Sequence, residues 1–272
     1  EGVEFILNQV CEVAAGRPIA VWQTGGEFVD PGVALDIPLL VAAANWHALA
    51  TWVGRLVPTG PAIMIDIGSS TTDIIPLLDG RPVPNGLTDV ERLLSGELLY
   101  TGARRTPVFA FAHSVPLRDG HCPMAAELFA TTLDVHLILG LVNEDETNTD
   151  TANGRPATKN CAFDRLARML CCDRNELTRD EVVDMAEFLH DVQKQRIRGC
   201  VDKVRLRLPS FDQPPAVLIS GSGSFLAERV INKHQLLREA EITRLNSFFD
   251  AATAEAACAM AVAKLASERS PF

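Results

Sequence analysis

The chain has 272 residues and a mass of 29.5 kDa, enough for one large domain or two modest ones with a core burying roughly 75% of the unfolded surface. Hydrophobic residues make up 47% and charged residues 22%, a composition that excludes disorder, collagen-like repeats and coiled coil. Twenty-five Lys and Arg against 35 Asp and Glu leave a net charge of −10; this argues against a nucleic-acid or anionic-membrane binder, which neutralises phosphate with surplus cations, and for a small-molecule partner.

Val3, Phe5, Ile6, Leu7 and Val10 recur at helical spacing and predict a helix over 3–15. Residues 17–23 read as a short strand closed by a Gly25-Gly26 turn. Asp30 is a good N-cap and Pro31 suits a first helical turn, so the apolar run through Leu56 reads as helix, interrupted before Pro38. Residues 33–54 are the best membrane-spanning candidate. Asp36, Asn45 and His47 within them are each costly in hydrocarbon, so the segment is expected to be a buried helix. A lobe boundary is expected at 58–60, dividing the chain into 1–58 and 59–272.

Beyond it, 62–65 reads as a strand ending at Asp66, 72–78 as a second, Asp79-Gly80 as a two-residue hairpin turn and 81–84 as a third strand. Pro76, Pro82 and Pro84 cannot donate backbone hydrogen bonds, which puts that third strand at an edge. Thr88 and Glu91 have capping-box spacing and open a helix toward Leu99. A second hairpin is expected from 107, through an Asp119-Gly120 turn, then a helix from Pro123 to about Leu141. Residues 143–158 are polar and acidic, and no register puts their carboxylates where an EF-hand needs them. A mobile solvated loop is expected there. Helices follow over 160–171 and, after the capping box of Thr178 and Glu181, over 181–207. Residues 217–219 read as a buried strand, 220–224 as a glycine turn, 225–231 as a helix and the alanine-rich 251–266 as another. Seven cysteines, an odd number with no C-x-x-C pair and no secretory leader before them, point to a reduced, cytoplasmic compartment and not to a zinc knuckle.

The strongest chemical signal is the stretch from Ile65 to Ile75. Gly68 allows a tight backbone path, successive N–H groups in such a turn can form an anion nest, and Ser69, Ser70, Thr71 and Thr72 add hydroxyl donors. Asp66 ends one strand and Asp73 opens the next, so a divalent cation such as Mg²⁺ could bridge either carboxylate to phosphate oxygens. A second signal is Ser220, Gly221, Ser222 and Gly223 between a strand and a helix, where free N–H groups and the helix dipole favour an anion or a nucleoside edge. Arg104 and Arg105, beside Thr101, Gly102 and Thr106, suit phosphate through their planar forks, or form a salt-bridged surface. Glu97 and Glu127 read as a general base or cation ligand, or as paired structural carboxylates. Asn45 and His47 place polar groups in an apolar run, as structural residues or as ligands for substrate.

These motifs resemble the actin-like ATPase (ribonuclease H-like) superfamily, and more closely its hydantoinase/oxoprolinase branch. Within that branch the chain is similar to proteins linked to tetrahydromethanopterin-dependent one-carbon transfer, the methanofuran-biosynthesis synthases among them. The resemblance is carried by Leu39 to His47, Asp66 to Pro76, Arg92 to Pro107, Ala126 to Thr132, Asp150 to Pro156 and Leu218 to Gly223. It implies an α/β fold whose second lobe carries a phosphate loop (66–73) and a glycine turn (220–224). It also implies a transferase that condenses a furan-methyl diphosphate with a glutamyl-tyramine-like phenol and releases diphosphate. Asp66 and Asp73 would serve catalysis and the metal, with Ser69 to Thr72 and the arginines on phosphate. The rivals are an ATP-dependent hydrolase or kinase, with adenosine at Gly221, Ser222 and Gly223, and a non-catalytic nucleotide-binding partner. The implied ligands are a small phosphorylated substrate, a divalent cation and, for the rivals, ATP. Oligomerisation stays open. One departure is that no D-x-G-G strand-turn precedes residue 66, so the first lobe reads as incomplete at its N-terminus.

Overall fold

A computed structural model describes residues 1–209, 214–248 and 256–269. The chain opens with helix α1 (Gly2–Ala14), a hairpin of β1 (Val21–Trp22) and β2 (Phe28–Val29), and three short helices, α2 (Pro31–Asp36), α3 (Pro38–Val41) and α4 (Asn45–Val53). Asp30 caps α2 by accepting the Val33 N–H at 3.0 Å. The apolar run is broken before Pro38, as expected, and again before Asn45, and among the described residues no helix is long and apolar enough to cross a membrane.

Strands β3 (Pro61–Ile67), β4 (Thr72–Leu78) and β5 (Arg81–Pro82) follow, then α5 (Asp89–Ser95), β6 (Leu98–Leu99), the hairpin of β7 (Ser114–Leu117) and β8 (Gly120–Pro123), α6 (Thr132–Ile138), α7 (Lys159–Arg168) and α8 (Arg179–Arg205). β9 (Ala216–Ser220), α9 (Ser224–Asn232), β10 (Ile242–Arg244) and α10 (Ala257–Arg269) complete the described chain. The main sheet has the order β10-β9-β3-β4-β5, with β6 also on β4. β10, β9 and β3 run parallel, whereas β4 is antiparallel to β3 and to β5. Asp79 (φ 48°) and Gly80 (φ 77°) make the hairpin turn, the left-handed pair that matches strand twist.

Strand alternation divides the core. Ala62, Met64, Ile75, Leu77 and Leu218 face one side, where α4 and α10 cover them with Leu49, Val53, Ala261 and Leu265. Ile63, Ile65, Ile67, Ile74, Val217 and Ile219 face the other side, under α8 and α9. Because Asp66 continues the stripe of Ala62 and Met64, Asp73 that of Ile75 and Leu77, and Ser220 that of Leu218, all three polar groups lie on the α4/α10 face at one end of the sheet.

Several expectations are corrected. The turn at 58–60 is not a packing boundary: Trp46, Leu49 and Val53 from before it share one core with Met64, Ile75 and Leu218 from after it. The helix expected over 123–141 starts only at Thr132. The residues before it are held as a loop by Ala125 N–H to the Met169 carbonyl and by a bridge between Pro107 and Thr131. The third strand shrinks to Arg81–Pro82, and β10 escaped the sequence reading. Residues 143–158 form a loop tied by their own polar groups: Asp145 accepts from Thr147 and Asn148, Asn148 from Asp150, and Thr151 donates to the Arg155 carbonyl. The last helix begins at Ala257, and 251–255 of the expected helix lie outside the described residues.

Candidate functional site

The loop joining β3 to β4 is short. Gly68 N–H donates to the Thr71 carbonyl at 2.9 Å, closing the turn. A strap from Thr101 to Thr106 lies against it: Ala103 N–H donates to the Gly68 carbonyl, and Arg104 and Arg105 N–H both donate to the Ser69 carbonyl, at 2.8–3.0 Å. From the other side, Gly223 N–H donates to the Ile67 carbonyl at 2.8 Å. Glycine is required where these backbones cross. A Cβ at Gly102 would stand 2.5 Å from the Ser69–Ser70 peptide, and at Gly221 (φ +86°) 2.3 Å from the Ile67 oxygen. At Gly68 a Cβ would meet nothing nearer than the Thr71 oxygen at 3.7 Å, so that glycine is not sterically demanded as the sequence reading supposed.

Between the strap, the turn and the start of α10 lies a cleft of about 660 Å³. Asp66, Gly68 and Ser69 line it on one side, Arg104 and Arg105 on a second, Gly221 and Ser222 on a third; Asn45 and the face of α10 around Cys258 close it. It opens beyond the carboxyl ends of β3 and β9, the usual place for ligands in an open α/β sheet. Burial, and then the neighbouring Asp73 charge, raise the Asp66 pKa to about 7, against the lowering effect of the Ser220 hydroxyl. Burial raises the Cys258 thiol pKa strongly, and Asp66 and Asp73 add to the shift. The two arginines differ. Arg105 is exposed and pairs with Asp150 at 3.1 Å, while Arg104 is half-buried and makes no ion pair among the described residues.

Other expected site residues lie outside the cleft lining. Asp73 is bound by Arg92, a buried guanidinium stacked 3.9 Å over the Trp46 ring. Burial raises the Asp73 pKa while the Arg92 charge and hydrogen bond lower it. Asp66 and Asp73 therefore do not stand as a free pair of metal ligands, and no group of three or more His, Cys, Asp or Glu placed to hold a metal occurs among the described residues. Glu97 is fully buried and consumed by Asn85 N–H, Gly86 N–H and Arg207 at 2.8–3.1 Å, which makes it a structural carboxylate and no base. Glu127 is exposed on the loop before α6 and does not line the cleft. Thr72 turns inward and donates to the Thr101 carbonyl at 2.7 Å. Ser70 and Thr71 belong to the turn but not to the lining. His47 packs against Trp22 and Trp46 with its pKa lowered to about 4 by burial and by Arg269 and Arg92, a core residue instead of a ligand. Gly223 serves packing against Ile67.

Behind the strap is a buried network that sequence reasoning missed. Gln193 on α8 donates to the Thr101 hydroxyl and the Gly102 carbonyl at 3.0 and 2.9 Å, and its side-chain oxygen lies 3.2 Å from His136 on α6. His136 reaches the Ala103 carbonyl at 2.9 Å, and Thr132 donates to the Gly102 carbonyl at 2.9 Å. Only a helix-periodic position, Gln193 falling on the apolar face of α8, could have signalled it.

Residues 1–269 match the Hydantoinase/oxoprolinase family. The chain is 34% identical over 237 residues, 87% of its length and 70% of the relative's, to the (4-{4-[2-(gamma-L-glutamylamino)ethyl]phenoxymethyl}furan-2-yl)methanamine synthase of Methanocaldococcus jannaschii. It is 32% identical over 190 residues, 68% of its length and 78% of the relative's, to the protein of the same name from Methanococcus vannielii. Among solved structures it is similar to nucleotide-free acetone carboxylase (17% identity, TM-score 0.47, 82% of this chain and 33% of that one). It is similar also to the ATP-dependent caprolactamase of Pseudomonas jessenii (15%, TM-score 0.48, 84% and 35%), so the chain spans about a third of each of these two structures. With a family match from residue 1 to 269 and two relatives at about one-third identity, the chain belongs to the hydantoinase/oxoprolinase family.

Proposed function

We propose that the cleft binds the diphosphate of a furan-methyl diphosphate, and that the chain is a synthase joining the furan methylene to the phenol of a γ-glutamyl-tyramine-type acceptor in the biosynthesis of a methanofuran-type one-carbon cofactor. The observation that carries this reading is the convergence in one cleft of the Gly68–Ser69 turn, the Arg104 and Arg105 strap and the Asp66 carboxylate. The names of the two relatives, which contain a phenoxymethyl-furan ether, support it. Function belongs to the site and not to the fold.

In this reading Ser69 and Arg104 take the diphosphate oxygens. The phenolic oxygen bonds to the methylene carbon as the carbon–oxygen bond to diphosphate breaks; the electron pair leaves on diphosphate and the phenolic proton passes to water at the open mouth. Most of the rate enhancement comes from holding the two partners in line and from fixed charge at the leaving group. Asp66, in the cleft lining, would hold a Mg²⁺ ion, which would supply charge neutralisation at the leaving group. Asp73, held by Arg92, takes no part.

The test is an assay with both substrates, with and without ATP. Diphosphate and the ether product are expected in equimolar amounts without ATP. Product that requires ATP and appears with ADP would move the assignment to the ATP-dependent class, with Gly221 and Ser222 at a nucleotide. The absence of product under both conditions would overturn both.

A further inference from the structure

We propose that a second cavity, beside the cleft, binds the amino-acid end of the acceptor, an α-ammonium carboxylate of the glutamate type. This rests on the reading above for the identity of the acceptor, and on the following geometry for its place. The cavity has a volume of about 840 Å³ and lies between α7, the loop after it and residues 152–155. Asp150 lines the cleft and Ala152 lines the cavity. Two residues of chain span at most about 7 Å, so one loop borders both spaces.

That loop is built, not draped. Arg165, 1% exposed, donates Nε to Asp134 at 2.7 Å and reaches forward to the Asn153 side chain and to the Arg155 and Pro156 carbonyls at 3.2–3.5 Å. A fully buried guanidinium thus fixes the loop that borders cavity and cleft.

The charges suit a zwitterion. Arg155, Arg165, Arg168 and Arg174 line the cavity against only Asp164 and Asp173, in a protein whose net charge is −10. Arg165 is taken up by Asp134 behind it. Asp164 is shared between Arg155 and Arg174, at 2.9 and 2.6 Å, so two guanidinium groups divide one carboxylate. Each guanidinium carries five N–H donors, and these forks keep donors for a ligand carboxylate, which Arg binds in a planar, bidentate way. Arg168 offers another such fork, and Asp173, its partner at 3.1 Å, is 71% exposed and open to an ammonium group. Phe129 and Leu128 supply apolar lining.

The test is calorimetry on the full chain with γ-glutamyl-tyramine, tyramine, γ-glutamyl ethylamide and magnesium diphosphate. γ-Glutamyl-tyramine is expected to bind at least tenfold more tightly than tyramine. Arg168→Ala and Arg155→Ala should each remove most of that advantage while leaving diphosphate affinity within about twofold. Arg168→Lys should restore part of it, which a merely structural role would not produce, and melting curves identify any variant that fails to fold. Equal affinity for tyramine and γ-glutamyl-tyramine, or arginine variants that leave the ratio unchanged, would overturn the cavity assignment even if diphosphate binds. Arginine-dependent binding of γ-glutamyl ethylamide without any diphosphate binding would uphold the cavity and sink the reading of the cleft.

Discussion

Asp66 and Asp73 are directly opposed on neighbouring strands, yet they live in different surroundings. Asp66 faces an open cleft, whereas Asp73 is engaged by a guanidinium that is itself stacked on Trp46. The two arginines of the strap differ in the same way. Arg105 spends its charge on an exposed pair with Asp150, an interaction worth about 0–1 kcal/mol. Arg104 is half-buried at the cleft, makes no ion pair within 4 Å among the described residues and acts on Asp145 only through its charge. Arg104→Ala should weaken magnesium diphosphate binding by about ten- to a hundredfold, the loss of one charge-assisted hydrogen bond of roughly 1.5–3 kcal/mol, and Arg104→Lys by less. Arg105→Ala should change affinity by no more than about fivefold, with melting temperatures close to wild type for all three. The reverse ranking in a titration would show that Arg105 leaves Asp150 to bind ligand. The sequence showed two adjacent arginines and two nearby carboxylates; it could not show that Arg92, nineteen positions beyond Asp73, returns to occupy one of them.

At the scale of elements, the strap depends on α6 and α8 more than on its own sequence. Gln193 satisfies the Thr101 hydroxyl and the Gly102 carbonyl from a fully buried position, and His136 completes the set from α6. Gln193→Leu keeps the size but strands buried polar groups, so it should lower stability by about 1–3 kcal/mol. A denaturant midpoint shifted at constant slope would report this, and an unchanged midpoint would show that water replaces the amide. Elements with local signals were legible: the capping boxes at Thr88 and Thr178, the Asp79-Gly80 turn and the strands flanking the Gly68–Thr71 turn all form where their residues indicate. The stretch from Pro123 to Thr131 was not, because apolar residues at near-helical spacing there pack against the Met169 region as loop, and periodicity alone does not separate the two. β10 was hidden because a three-residue strand carries almost no pattern of its own and forms by pairing with β9.

For the molecule as a whole, acid response is a balance. His47, His136 and His190 are buried with pKa values lowered to about 4, 4 and 3, mainly by burial, so each keeps its neutral form in the fold while the unfolded chain takes up a proton near pH 6.5. Their contribution is complete above that pH and is lost as pH falls. Asp66 and Asp134, raised to about 7 and 6 by burial, act in the opposite sense between pH 4 and 6 and flatten the curve. Replacing one histidine exposes the separate parts. Relative to wild type, His190→Phe should gain about 2 kcal/mol of stability on going from pH 7.5 to pH 5, one unmatched proton at roughly 1.4 kcal/mol per pH unit. Parallel pH profiles for variant and wild type would mean that the ring is protonated inside the fold. The cleft also has a history. β3, at the sheet centre, needs β9 as its parallel neighbour, and its α4-facing side is covered by α10, which also supplies Cys258 and Val262 to the cleft. Cys258 follows Asp66 by about 190 residues, so at the usual 5–20 residues per second a ribosome makes the floor of the cleft about 10–40 s before its last wall. Throughout that interval Met64, Ile75 and Leu77 have α4 over them but not α10, and the half of this face that Ala261 and Leu265 will cover stays open to solvent.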